Sequence, residues 1–214
     1  KQKNWKKTNI DMGGNVELDN EAATKALIQH QKEKLKKVYE LEEKINLQHK
    51  QVDEACVHLL ARQSPLAADL RLVIAILKIS TDLERMGDQA VNIAHNTREY
   101  IQAGESIKPL IDLPTMASDV RKMVRSSLDA FVQQDRQHAR NVLKMDDNVD
   151  EFKNKIFHEL IEIMEKNPTI IKRALCLILI ARNLERLGDH ATNIAEDVIF
   201  AVTGEDIRHG GSDP

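Results

Sequence analysis

A near-repeat of twelve residues dominates this sequence of 214. The segment LERMGDQAVNIA at 83–94 returns 101 residues later as LERLGDHATNIA at 184–195, and nine of the twelve positions are identical. That spacing is too long for one unit of a solenoid and fits the duplication of a small domain. We therefore expect the two halves of the chain to share one architecture.

Apolar residues recur with helical spacing through most of both halves. One stripe in the first half consists of Leu72, Ile76, Leu83, Ala90, Ala94 and Ile101. The chain contains only eight Gly and five Pro, fewer than the many turns of an all-β fold would need. The pattern predicts an all-α protein with three helices per half, that is, two tandem antiparallel three-helix bundles related by internal duplication.

Pro and Gly indicate where these helices begin and end. We expect helices over about 5–28, 33–62 and 65–104 in the first half, and over about 113–134, 136–166 and 168–204 in the second. The first bundle would then span residues 1–106 and the second 107–207, followed by a disordered tail over 208–214. The pair Gly13-Gly14 argues against the first of these helices, because each glycine costs about 1 kcal/mol of helix propensity.

Charge and composition exclude several classes of partner. The chain has 31 basic and 34 acidic residues, a formal net charge of −3, and only 3% aromatic residues, unlike a nucleic-acid binder. The longest apolar run, 174–181, falls short of the ~20 residues that a membrane span needs, and the first residues lead into no apolar signal-peptide core. Cys56 and Cys176 lie in helical patterns, as buried thiols do in a reducing compartment. We expect a cytoplasmic protein that does not insert into membranes.

The repeated segment carries oxygen-bearing side chains at positions i, i+4 and i+8. They are Glu84, Asp88 and Asn92 in the first copy and Glu185, Asp189 and Asn193 in the second. Such positions stack on one helical face with neighbouring Cβ atoms ~5–6 Å apart, so two carboxylates repel unless a cation lies between them. Oxygen ligands suit magnesium, calcium, manganese or iron. At 100° per residue, these carboxylates flank the apolar stripe and do not point into it.

The preceding helix of each half offers a matching edge. In the second half Asp146 and Asp150 are also spaced i, i+4, and antiparallel packing would bring them to the other acids. The candidate metal ligands are therefore Asp146, Asp150, Glu185 and Asp189 in the second half and Glu42, Asn46, Glu84 and Asp88 in the first. Additional candidates on the same stripes are His49, Asp53, Asn92 and Asn193.

A solvated acidic edge would give the same pattern in a single helix, and only its repetition favours a metal or partner site. Gly87 and Gly188 add support, because a glycine inside a helix costs stability and would let another backbone approach closely. The chain has no Glu-x-x-His di-iron signature and no nucleophile with an obvious base. A regulator, a metal-dependent hydrolase or oxidase, and a purely structural metal all stay open from the residues alone.

Several segments together resemble the PhoU family of bacterial phosphate-transport regulators. Besides the two LER(M/L)GD segments, they are MGGNVE at 12–17, VDEACV at 52–57, ARQSPLAADLR at 61–71, LDAF at 128–131, DDNVD at 146–150 and GEDIRH at 204–209. The resemblance covers roughly Met12 to His209 and implies two three-helix bundles.

The resemblance also implies a function. Members of this family are negative regulators of the phosphate-starvation response, and they couple the phosphate ABC transporter, through its ATPase subunit PstB, to the sensor histidine kinase PhoR. They often form homodimers. Some bind multinuclear metal clusters through paired E(D)xxxD motifs, with iron as the first candidate and zinc, manganese, magnesium and calcium as alternatives. By resemblance the second-half motif pair is complete, whereas Asn46 stands in the first pair where Asp150 stands in the second. The resemblance therefore implies a non-enzymatic adaptor whose first metal site has lost a charge.

Overall fold

The computed structural model describes residues 3–107 and 112–207, and this part of the chain consists of helices and short connections. The α-helices are α1 (Lys3–Ile28), α2 (Leu35–Gln63), α3 (Ala67–Gln102), α4 (Leu113–Gln133), α5 (Arg136–Leu143), α6 (Asp146–Lys166) and α7 (Ile171–Thr203). Short 3₁₀ turns, Lys32–Lys34 and Pro168–Ile170, lead into α2 and α7. The all-α prediction is confirmed, and the proposed tail at 208–214 lies outside the described residues.

The first helices of the two halves, α1 and α4, end in the same way. His30 and Gln134 follow them with a left-handed backbone, each at φ 54°. In both cases the next residue donates its backbone N–H to a carbonyl five residues earlier, at 3.0 Å. This hydrogen bond is the six-to-one bond of a Schellman motif. Residues of α1 therefore correspond to residues of α4 that lie 104 positions later in the chain.

The prediction of one helix over 136–166 was wrong, because the chain turns between α5 and α6. At this turn the N–H of Met145 donates to the carbonyl of Val142, at 3.0 Å. Helix α6 then begins with Asp146 and Asp147, whose acidic side chains favour the positive end of a helix dipole. The apolar period continues across the turn, so the hydrophobic pattern does not reveal it.

The two halves pack on each other mainly along α3 and α7, and α1 also packs against α4. Their buried apolar side chains form one continuous core. Polar contacts join the halves as well. On α3, Lys78 lies 3.1 Å from the buried Asp197 of α7, and Asp82 lies 2.8 Å from Nδ1 of His190. The duplicated bundles therefore form a single packed molecule.

The predicted burial of both cysteines is confirmed. Cys56 and Cys176 are buried free thiols, and burial raises the pKa of Cys56 to about 11. The described helices include none with the length and apolar content that crossing a bilayer requires.

Gly13 allows α1 to approach α4 closely. A Cβ built on Gly13 would lie 2.5 Å from Cδ1 and 3.2 Å from Cγ of Leu128, whereas a Cβ on Gly14 would meet nothing within 4 Å. Helix α1 continues through both glycines. The pair therefore does not interrupt the helix, and only Gly13 serves packing.

Alanine at these two positions separates packing from helix propensity. We expect Gly14→Ala to raise the free energy of unfolding by about 0.5–1 kcal/mol, because alanine is the better helix former. Gly13→Ala should lower it by about 1–2 kcal/mol, because Leu128 must leave its rotamer or α1 must move away from α4. Urea unfolding followed by circular dichroism measures both changes. Equal effects at the two positions would contradict the close approach of these helices.

Candidate functional site

In the second half the structure brings the predicted carboxylates of two helices together. Asp146 and Asp150 lie on the first turns of α6, and Glu185 and Asp189 lie on successive turns of α7. The pKa of Asp146 is raised to about 6. Partial burial is the largest cause, followed by the negative charges of Asp189 and Asp150 and, more weakly, of Glu185. The pKa of Asp189 is also raised, by partial burial and then by Glu185 and Asp150. These four residues form one electrostatically coupled group, which we call the second cluster.

A lysine already bridges the second cluster. The Nζ atom of Lys153 lies 3.1 Å from Oδ1 of Asp150 and 3.1 Å from Oε1 of Glu185. Burial alone would lower the pKa of Lys153, but its hydrogen bonds to Glu185 and Asp150 outweigh that effect and raise it. An ammonium group therefore supplies positive charge between α6 and α7. Sequence reasoning missed this residue, although its position three residues after Asp150 is the signal for such a contact.

The glycines of the repeated motif mark where the helices pack at the level of the acids. A Cβ on Gly188 would lie 3.4 Å from Oδ1 of Asp146 and 3.6 Å from Cγ1 of Val149. A Cβ on Gly87 would lie 3.4 Å from Cδ1 of Ile45. The atoms nearest to the Cβ positions of both glycines belong to side chains. Each glycine faces the preceding helix of its own half.

In the first half the corresponding side chains are Glu42 and Asn46 on α2 and Glu84 and Asp88 on α3, which we call the first cluster. The Asn46 amide donates a hydrogen bond of 2.5 Å to Oε1 of Glu42. On α3, the guanidinium of the exposed Arg85 lies 3.6 Å from a carboxylate oxygen of Glu84 and 3.6 Å from one of Asp88. Exposed ion pairs of this length contribute little to stability. The contact of Gly87 with Ile45 places the two motifs at the same level.

The structure gives the additional candidate ligands other neighbours. Nε2 of His49 lies 3.5 Å from Oδ2 of Asp53, one turn further along α2. The amide of Asn193 donates to Asp82 of α3 at 3.2 Å. Asn92 is exposed. His49 and Asp53 thus pair with each other, Asn193 pairs with the other half of the molecule, and Asn92 faces solvent.

Both clusters offer ligands that fit a hard or borderline cation. Their donors are carboxylate and amide oxygens at the edges of paired helices. Burial and, after it, the charges of the neighbouring acids raise the pKa of Asp146, and a cation would relieve the repulsion among these acids. Within 3–107 and 112–207, no three His, Cys, Asp or Glu side chains already surround a common metal position. Cation binding would therefore need side-chain rotation, which partly exposed carboxylates can undergo.

Helix α1 contributes a carboxylate that sequence reasoning missed. Asp19 has no exposed surface, and neither of its carboxylate oxygens has a hydrogen-bond partner in the described part of the chain. Burial, and then the negative charge of Glu42, raises the pKa of Asp19 to about 8. The available signal is its place on the apolar stripe of α1, three residues after the buried Val16 and four before the buried Ala23.

The halves that carry the two clusters match one family model twice. The PhoU domain matches residues 10–97 and again residues 113–198. The chain belongs to the PhoU family. It is 42% identical over 202 residues to the phosphate-specific transport system accessory protein PhoU homolog of Pseudomonas putida, which covers 94% of this chain and 79% of that protein.

Solved PhoU structures share the fold. The crystal structure of PhoU from Pseudomonas aeruginosa superimposes with a TM-score of 0.92 at 39% identity, covering 95% of this chain and 98% of that one. The phosphate transport system regulatory protein PhoU from Streptococcus pneumoniae gives a TM-score of 0.86 at 26% identity, covering 94% and 95%. These PhoU proteins are named as accessory or regulatory proteins and not as enzymes. That agrees with the expectation of a non-enzymatic protein.

Proposed function

We propose that this protein is a non-enzymatic accessory protein of a phosphate transport system and a negative regulator of phosphate uptake and of the phosphate-starvation response. The observation that carries the proposal is the PhoU domain match in both halves of the chain. Its relatives are an accessory protein and a regulatory protein of phosphate transport systems, and this match favours the same role here.

The regulator acts in the cytoplasm as an adaptor between two proteins. It binds the ATPase subunit of the phosphate ABC transporter, PstB, and the sensor histidine kinase PhoR, and it works as a homodimer. An adaptor can shift a kinase toward its signal-off state only if it binds that state more tightly. A tenfold preference corresponds to about 1.4 kcal/mol. The long helical surfaces of both bundles offer room for two partners, and the resemblance to the family supports this pair.

Loss of the gene tests the regulatory role. We expect a deletion strain to express phosphate-starvation genes in medium rich in phosphate, because the kinase is no longer held in its signal-off state. A reporter fused to a phosphate-starvation promoter measures this. A plasmid copy of the intact gene should restore repression. Normal repression in the deletion strain would contradict the proposed function.

The first and second clusters are proposed as cation sites, with iron as the first candidate and zinc, manganese, magnesium or calcium as alternatives. A bound cation would neutralise the facing acids and hold α2 to α3 or α6 to α7. Glu42, Asn46, Glu84 and Asp88 would hold it in the first half. The second cluster would do so in the second half, where the like-charge repulsion at Asp146 supports the assignment.

Lys153 should compete with a cation for the second cluster. We expect Lys153→Gln to raise the affinity of this cluster for Mn²⁺ about tenfold, because the substitution removes an ammonium held by two charge-assisted hydrogen bonds. Titration with Mn²⁺, with the free ion followed by electron paramagnetic resonance, measures this. Lys155→Gln is the matched control, because Lys155 lies on the same helix but pairs with Asp112 at 2.6 Å. Unchanged or weaker binding in Lys153→Gln would show that the lysine does not occupy the cation position.

A further inference from the structure

The two clusters differ in their number of carboxylates. Helices α2 and α6 correspond with the same offset of 104 residues that relates α1 to α4, since Glu42 matches Asp146 and Ile45 matches Val149. Ile45 and Val149 each contact the motif glycine of the next helix, which supports the match. At this offset Asn46 corresponds to Asp150. The second cluster therefore has four acids, whereas the first has only three.

Among the buried positions at which α1 and α4 differ, one places the additional acid in the first half. The offset of 104 residues pairs Asp19 of α1 with Met123 of α4. The Cε atom of Met123 lies 3.7 Å from the Cβ position of Gly188, between the two acids of α7. Met123 thus packs beside the motif glycine of the second half, next in the chain to Asp189. The corresponding position in the first half carries a carboxylate instead.

The environment of Asp19 calls for a positively charged neighbour. Its carboxylate is fully buried and lacks a hydrogen-bond partner within the described ranges, and it is close enough to Glu42 for their charges to repel. A buried carboxylate without compensation costs several kcal/mol. The matching core position of α4 holds a methionine, so the shared helix geometry does not itself require an acid there.

We infer that Asp19 is the fourth carboxylate ligand of the first cluster and takes the role that Asp150 has in the second. The inference rests on the proposed cation sites. The ligand is a divalent cation that prefers oxygen donors. Asp19 of α1 therefore provides the negative charge that Asn46 lacks at position 46. With Asp19 the first cluster has four carboxylates, as the second cluster has.

Two contrasts between the halves follow from this assignment. The Asp150 side chain is 52% exposed, whereas Asp19 has no exposed surface, so a cation in the first site lies deeper. Lys153, which bridges the second cluster, corresponds to His49, and His49 pairs with Asp53 further along α2. No lysine therefore occupies the corresponding position of the first cluster.

Mn²⁺ binding in a background with one active cluster tests the inference. Glu185→Gln with Asp189→Asn disables the second cluster, so the remaining site is the first. In that background we expect Asp19→Asn to weaken Mn²⁺ binding at least about tenfold. Glu17→Gln is the matched control, because Glu17 lies on the same helix but interacts with Arg125 and Arg121 of α4. It should leave binding unchanged.

An exchange variant separates ligation from structure. Asp19→Met combined with Asn46→Asp gives the first half the residue pattern of the second, and it should restore binding to within about threefold of the background. Thermal unfolding by circular dichroism checks that each variant is folded. A merely structural role for Asp19 would not predict rescue by an acid on another helix.

The outcomes distinguish the inference from the proposed cation sites. If the background protein binds Mn²⁺ and Asp19→Asn does not weaken that binding, the inference is overturned. The first cluster is then a cation site that does not use Asp19. Binding by the unmodified protein but not by the background also overturns it, since only the second cluster is then active. If the unmodified protein binds no Mn²⁺, the proposed cation sites themselves fail.

Discussion

Replacing Asp19 by asparagine should stabilise the cation-free protein, and the gain should increase with pH. In the folded protein burial and the charge of Glu42 raise the pKa of this carboxyl from 3.8 to about 8. Folding between these two pH values therefore requires uptake of a proton. The contribution of Asp19 to the free energy of unfolding is therefore fully present below pH 3.8, and it is lost as the pH rises toward 8.

The expected size of this effect is large for a single substitution. One pH unit between the two pKa values corresponds to 1.36 kcal/mol, so the advantage of Asp19→Asn should grow by about 4 kcal/mol between pH 5 and pH 8. Urea unfolding in the presence of a chelator, at several pH values, measures the difference between the variant and the unmodified protein. Glu21→Gln is a control, because the hydrogen bond from Lys25 lowers the pKa of Glu21. A difference that does not change with pH would show that Asp19 titrates as an exposed carboxyl does.

Divalent cations should stabilise the unmodified protein by a similar amount. A ligand that binds only the folded state at 100 times its dissociation constant adds about 2.7 kcal/mol. For a chain of this size that corresponds to a rise in Tm of roughly 5–10 °C. Differential scanning calorimetry with Mn²⁺ and then with excess chelator measures the rise and its reversal.

A variant of both clusters provides the control for this stabilisation. Substituting Glu84, Asp88, Glu185 and Asp189 by their amides removes charges from both α3 and α7 while keeping side-chain size. The Tm of this variant should not respond to Mn²⁺. An equal rise in the variant would assign the stabilisation to other parts of the surface.

The architecture of this protein could be predicted because its strongest signals are local. Helical periodicity, few glycines and prolines, and a near-identical motif in both halves specify which segments are helical and that the halves match. The antiparallel order of helices then places the acids of α6 beside those of α7, as expected from spacing alone. The break before Asp146 was not predictable from the apolar period, which continues across it.

The parts of the site that were missed depend on contacts between different helices. Helices α1 and α4 share little sequence, so the match of Asp19 with Met123 emerges only from the shared geometry of their C-terminal ends. The low helix propensity of Gly13-Gly14 also made the first helix hard to predict, and with it the apolar stripe that marks Asp19 as a core position. Lys153 looked like an ordinary surface lysine, because its two partners lie on different helices.

The central claim is that each half of this PhoU-family protein carries a carboxylate site for a cation. Elemental analysis by mass spectrometry, on protein purified without chelator or metal-affinity resin, tests it most directly. We expect at least one transition-metal or alkaline-earth ion per half, and we expect the metal content to fall to background in the variant of both clusters. Protein that contains no metal above the level of its buffer, and gains none on dialysis against Mn²⁺, would contradict it.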